Sequence, residues 1–178
     1  MMRFLLPLLL LLIACGDDDP DMPVTPPGPV NATALLLTVS GPSGAETFAY
    51  RTDVDIPAGE TPDPPVVDDI VLNANTNYTY TLRYEEETVS IGTRSVSSDI
   101  EEMGTEYVVL TEVLSAGLTF TPNDTDANGA AIGLSGTLNT AGPSAGVLRV
   151  DLRYEIDKDN PSATGERLLR AEYSVSIE

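Results

Sequence analysis

Six residues of this chain have the types and spacing of a cation-binding loop: Asp124-Thr125-Asp126-Ala127-Asn128-Gly129. Oxygen-bearing side chains at alternate positions converge on a hard ion. Glycine at the sixth position permits the sharp turn that brings in the backbone carbonyl of the seventh. The expected ligands are therefore Asp124, Asp126, Asn128 and the carbonyl of Ala130, and the expected ion is calcium. Position twelve is Ser135, where a full EF-hand places a bidentate glutamate, so another loop must complete the set; Asp157 and Asp159 are the candidates. The competing reading is a hairpin loop whose Asx side chains bond their own backbone.

Other chemistry is sparse. The chain has no histidine and one cysteine, which removes a Ser-His-Asp triad, a Cys-His pair and the ordinary zinc or iron sites. Two carboxylates suffice for glycoside hydrolysis, but 28 acidic residues bring some together by chance. Glu85-Glu86-Glu87 reads as a solvated charge run at a strand end. Gly41-Pro42-Ser43-Gly44 reads as a turn, because neither the lysine nor the helix of a phosphate loop follows it. The expectation is a protein that is not an enzyme.

Nine basic residues face those 28 acidic ones, a net charge of −19. Such a field repels nucleic acid and anionic lipid and attracts cations, so no nucleic-acid partner is expected. Lys158 is the sole lysine. Abundant acid with little lysine suits a protein working in salty water, although a biased genome composition would give the same balance.

The first residues read as an address. Arg3 supplies a positive start, 4–13 is an apolar run and Ala14 is a small residue before a cut. A run that short does not span a bilayer, which needs roughly 20 residues in a helix. Leu12-Ile13-Ala14-Cys15 resembles the lipobox of bacterial lipoproteins, which implies cleavage after residue 14 and a lipid on Cys15. The only cysteine in the chain occupies the position that the lipobox requires, and no intramolecular disulfide is left to staple the domain. Residues 15–30 mix four aspartates with five prolines, a coreless, disordered tether. Gly16-Asp17-Asp18-Asp19 looks like the acidic signal that sends some Bacteroidetes-type lipoproteins to the outer face of the outer membrane; the alternative is a charged spacer and a periplasmic face.

Residues 31–178 then read as one domain of about nine short strands, at 34–40, 46–51, 66–72, 78–84, 106–112, 118–121, 131–138, 147–156 and 168–177. Period-two alternation is plainest in two of them. Tyr78, Tyr80, Leu82 and Tyr84 share one face, as do Leu169, Ala171, Tyr173, Val175 and Ile177. Ser98-Asp99-Ile100-Glu101 has a capping-box pattern for a single helical turn. A parallel sheet is not expected, because no helices serve as crossovers. The fold class is all-β, an antiparallel β-sandwich with immunoglobulin- or fibronectin-like Greek-key connections.

Leu72 and Tyr78 carry the finer expectation. A leucine six residues before a tyrosine resembles the tyrosine corner of fibronectin-type sandwiches, whose hydroxyl bonds upstream backbone and pins a crossover. Segments 70–84, 123–138 and 147–178 resemble small Bacteroidetes-type outer-membrane lipoproteins of the group labelled "type 1 periplasmic binding fold superfamily". The resemblance implies a lipid-anchored binding or accessory module on the outer membrane, with a receptor or a surface ligand as partner; a structural or adhesive module with a calcium-stabilised loop is the alternative. Two-lobed α/β architecture does not follow from that label, since this chain is too short and too rich in strands. Such lipoproteins also carry a histidine near the segment matching Glu106-Tyr107, and this chain has none, so no metal role transfers there.

Overall fold

The computed structural model describes residues 28–52, 61, 63–88, 92–159 and 165–178. The expected signal, Cys15 and most of the tether lie outside them, as do residues 53–60. Two sheets pack face to face. The larger contains β1 (Ala34–Gly41), β2 (Gly44–Arg51), β3 (Val66–Val67), β5 (Asn77–Thr88), β6 (Gly92–Ser95), β8 (Leu118–Pro122) and β9 (Ser135–Thr140). Its main path runs β3-β2-β1-β5-β9-β8, with β6 on the far part of β5. The smaller contains β4 (Ile70–Leu72), β7 (Tyr107–Leu114), β10 (Ser144–Tyr154) and β11 (Glu166–Ile177), in the order β4-β11-β10-β7. One short helix, α1 (Ser97–Glu102), follows β6.

Alternation explains why these residues form two facing layers. Along β5, Tyr78, Tyr80, Leu82 and Tyr84 are buried while Thr79, Thr81 and Arg83 are exposed. Along β11, Leu169, Ala171, Tyr173, Val175 and Ile177 are buried. Leu35, Leu37 and Val39 from β1 and Leu148, Val150 and Leu152 from β10 close the core. The layers are also bonded across the interior, where the Tyr173 hydroxyl donates to the Leu35 carbonyl at 3.3 Å. The domain starts earlier than residue 31: Val30 is buried, and its N–H donates to the Tyr107 hydroxyl at 2.9 Å.

Several expectations are corrected. The single strand at 66–72 is two strands in different sheets, β3 beside β2 and β4 beside β11. Asp68 makes the break: its N–H donates to the Ala49 carbonyl, and its carboxylate accepts the Ala49 N–H at 2.7 Å. The β4–β11 pair is parallel. It needs no crossover helix because β5 to β10 lie between the two strands in sequence. The strand at 131–138 starts only at Ser135, since Gly133 has φ 97° and its N–H goes to a side chain instead of a neighbouring strand. At α1 the N-cap is Val96 with no side-chain cap bond, so no capping box forms; the Ser97 hydroxyl instead accepts the Tyr84 N–H at 2.8 Å.

Candidate functional site

The loop at 124–134 is closed by its own donors. One oxygen of Asp124 accepts the Gly133 N–H at 3.1 Å and the other the Leu134 N–H at 2.8 Å. Asp126 Oδ1 accepts the N–H groups of Asn128 and Ala130, at 2.8 and 2.9 Å. The Ala130 carbonyl, expected on an ion, accepts the Asp126 N–H at 2.8 Å. Asp124 and Asp126 border different clefts, the first with Thr81 and Leu134, the second with Asn128, Ala130, Asp157 and Asp159. The second-loop residues therefore do come beside part of the motif, while Asp124 does not. Hairpin-type Asx bonding describes this loop better than a calcium cage. Among the described residues no three His, Cys, Asp or Glu side chains group so as to hold a metal.

The charge at the loop is answered from within. Lys158 Nζ donates to Asp126 Oδ2 at 2.8 Å, to the Gly104 carbonyl at 2.6 Å and to the Ala131 carbonyl at 3.3 Å. The Lys158 side chain is 14% exposed and that of Asp126 only 1%. The Asp126 carboxylate is covered by its hydrogen-bond partners and not by depth in the core. The bond from Lys158 holds its pKa below the ordinary value, with the Ala130 and Asn128 N–H groups acting in the same direction.

Among the described residues, the other carboxylates noted in the sequence are held by arginines. The run at 85–87 is no solvated stretch: Glu85 is 4% exposed and pairs with Arg83 at 3.0 Å, Glu86 pairs with Arg94 at 3.2 Å, and Glu87 pairs with Arg51. On the outer face of the smaller sheet Arg170 grips Asp151 with two bonds of 2.7 Å, and Arg149 bridges Glu172 and Glu112 at 2.8 and 3.2 Å. Arg170 binds its carboxylate in forked geometry, Arg149 spans two carboxylates with one bond to each, and both stay charged.

The outer face of the larger sheet is of a different kind. Thr47, Thr38 and Thr81 stand side by side on β2, β1 and β5, and Thr79, Thr137 and Thr121 on β5, β9 and β8. The first two share a hydroxyl bond of 2.9 Å. In a chain of net −19 these rows carry no charge.

No known protein family, curated protein or solved structure matches the chain.

Tyr78 and Leu72 meet at the crossover between sheets. The Tyr78 hydroxyl accepts the Asn73 N–H at 2.9 Å, and Leu72 is buried at the end of β4. Tyr84 is the contrast. It is fully buried, and among the described residues its hydroxyl finds no partner; burial first, then the nearby Tyr173 and Asp151, push its pKa well up. The same chemical change should therefore act in opposite directions. Tyr78→Phe leaves a backbone donor unpaired and should cost about 1–3 kcal/mol, whereas Tyr84→Phe removes an unpaired group and should be neutral or stabilising. Urea midpoints of the two variants check this; equal losses would mean that the Tyr84 hydroxyl has a water partner.

Proposed function

We propose that this protein is a lipid-anchored, non-enzymatic binding or accessory module of the bacterial cell envelope, held by Cys15 on the outer face of the outer membrane. The observation that carries the reading is Leu12-Ile13-Ala14-Cys15, with the sole cysteine at the end of an apolar run. Its resemblance to lipoproteins of that membrane points the same way. Geometry supports it further. The chain enters the sandwich at Val30, beside Tyr107 and α1, so the turn at 41–44, the start of β10 and Glu178 gather at the opposite pole. A short tether at one pole leaves the other pole, and the flanking sheet faces, open to a partner. The threonine rows carry no charge of their own, so a polar, uncharged surface of an outer-membrane receptor meets hydroxyls there, with the carboxylates of Glu101 and Asp124 bordering the cleft at Thr81.

Fractionation of cells tests the anchor. The protein should sediment with membranes, and Cys15→Ser should leave it soluble or unprocessed. Protease added to intact cells should remove the domain; survival of the domain would put it on the periplasmic face. A photo-crosslinker at Thr81 should form an adduct in those cells, and one at Arg149 on the other sheet should not. Membrane association unchanged by Cys15→Ser would end the lipoprotein reading, and no adduct at Thr81 would leave a spacer without a partner at that face.

A further inference from the structure

We infer that the ammonium of Lys158 is the resident cation of the 124–134 loop, doing for it what a structural calcium ion does in an ion-binding loop, though of the motif's own set only Asp126 takes part. Three oxygens converge on one nitrogen at 2.6, 2.8 and 3.3 Å. They are one carboxylate oxygen and two backbone carbonyls, the ligand chemistry of a hard cation. An ammonium has three N–H donors, and all three are used here. The oxygens come from separate segments, the turn after α1 at Gly104 and both limbs of the loop at Asp126 and Ala131, while the cation comes from the β10–β11 connection. One side chain therefore ties three parts of the fold together, which is what a structural calcium ion does in a loop-rich domain.

An ion in that position would have to displace a tethered ammonium that is nearly out of solvent. The two cannot coexist, because like charges a few ångströms apart in a partly buried site repel strongly. The domain therefore keeps its loop closed without taking ions from the medium. Removing the ammonium uncovers Asp126 Oδ2 and two carbonyls in a cleft that Asn128, Asp157 and Asp159 also border. In a variant without the ammonium, those oxygens are expected to take a divalent cation in its stead.

Thermal unfolding of the full chain at constant ionic strength tests this, with calcium compared against sodium. The wild-type midpoint should be the same in both salts. Lys158→Ala should melt lower than wild type in sodium and recover specifically in calcium, the recovery growing with the logarithm of calcium concentration once the site is mostly filled. Adding Asp126→Asn to Lys158→Ala should abolish the recovery. Lys158→Gln, which keeps most of the stem without the charge, is measured beside it in case alanine prevents folding, and should show the same calcium-specific gain. A calcium-specific rise in the wild type would overturn the inference without any variant. So would the absence of a gain in both neutral variants.

Discussion

Gly146→Val should leave the domain unfolded at ordinary temperature. Gly146 lies in β10 opposite Val175, where the chain leaving β7 passes directly over it. A Cβ built at this position would overlap the Leu114 carbonyl oxygen and the Ala116 nitrogen, both main-chain atoms. Those atoms belong to a bend in which Ser115 has φ 68°, the step that carries the chain from the smaller sheet towards Leu118 in the larger. Backbone cannot rotate away as a side-chain tip can, so the clash must move either β10 or the crossover. Overpacking a core ordinarily costs about 1–3 kcal/mol, and a collision with two main-chain groups of a fixed bend should exceed that. Displacing β10 or the crossover also gives up strand-ladder bonds and core contacts, so against a total stability of about 5–15 kcal/mol, and with no disulfide to hold the sheets, the fold should not persist. Gly146→Ala should already lower the denaturation midpoint substantially. Gly142→Ala is the control, since a Cβ there meets nothing within 4 Å; its change should stay within about 0.5 kcal/mol. If the two alanine variants melt together, the crossover does not press on β10.

How much of this could be read from the residues follows from what each feature is made of. The faces of β5 and β11 were legible because burial of one side imposes a two-residue period that the residue types obey, from Tyr78 to Tyr84 and from Leu169 to Ile177. The same period does not say which sheet a strand joins. Residues 66–72 are rich enough in valine, isoleucine and leucine to read as one strand, yet Asp68 turns the chain from one sheet to the other through bonds to Ala49. Ile132 and Leu134 are buried, and so resemble strand residues, but the Asp124 carboxylate takes the N–H groups that a neighbouring strand would need. The loop's acidic motif was visible, and Asp157 and Asp159 do border it. Lys158 was missed as a partner because two of its three acceptors are main-chain carbonyls, which no residue type marks. Its being the only lysine was the available signal. The run at 85–87 was misjudged for a related reason. Arg83 lies close to Glu85 in sequence, but Arg51, which reaches both Glu85 and Glu87, comes from a strand more than thirty residues away, and only the pairing of β1 with both β2 and β5 brings it there.

Leu72→Ala should cost about 2–5 kcal/mol, the range for emptying a leucine site in a packed core. Leu72 is 6% exposed and ends β4, a strand of three residues paired on one side with β11. Its carbonyl accepts the Glu178 N–H at 2.9 Å, and two residues on the Ala74 N–H donates to the Glu178 carbonyl at 2.6 Å. So few backbone bonds hold β4 that its buried Ile70 and Leu72 must supply most of its attachment. Loss of the Leu72 side chain therefore loosens the strand as well as leaving a void, and the cost should fall in the upper half of that range. The Asn73 N–H that Tyr78 accepts is the next group along the chain. A loosened β4 will hold that N–H less well, so Tyr78→Phe should cost less in the Leu72→Ala background than in the wild type. A double-mutant cycle on urea midpoints measures the difference, and neighbours that share one structural element couple by about 0.5–3 kcal/mol. Additive losses would show that the leucine and the tyrosine hydroxyl stabilise the sandwich independently, and that the hydroxyl bond does not depend on how β4 is seated.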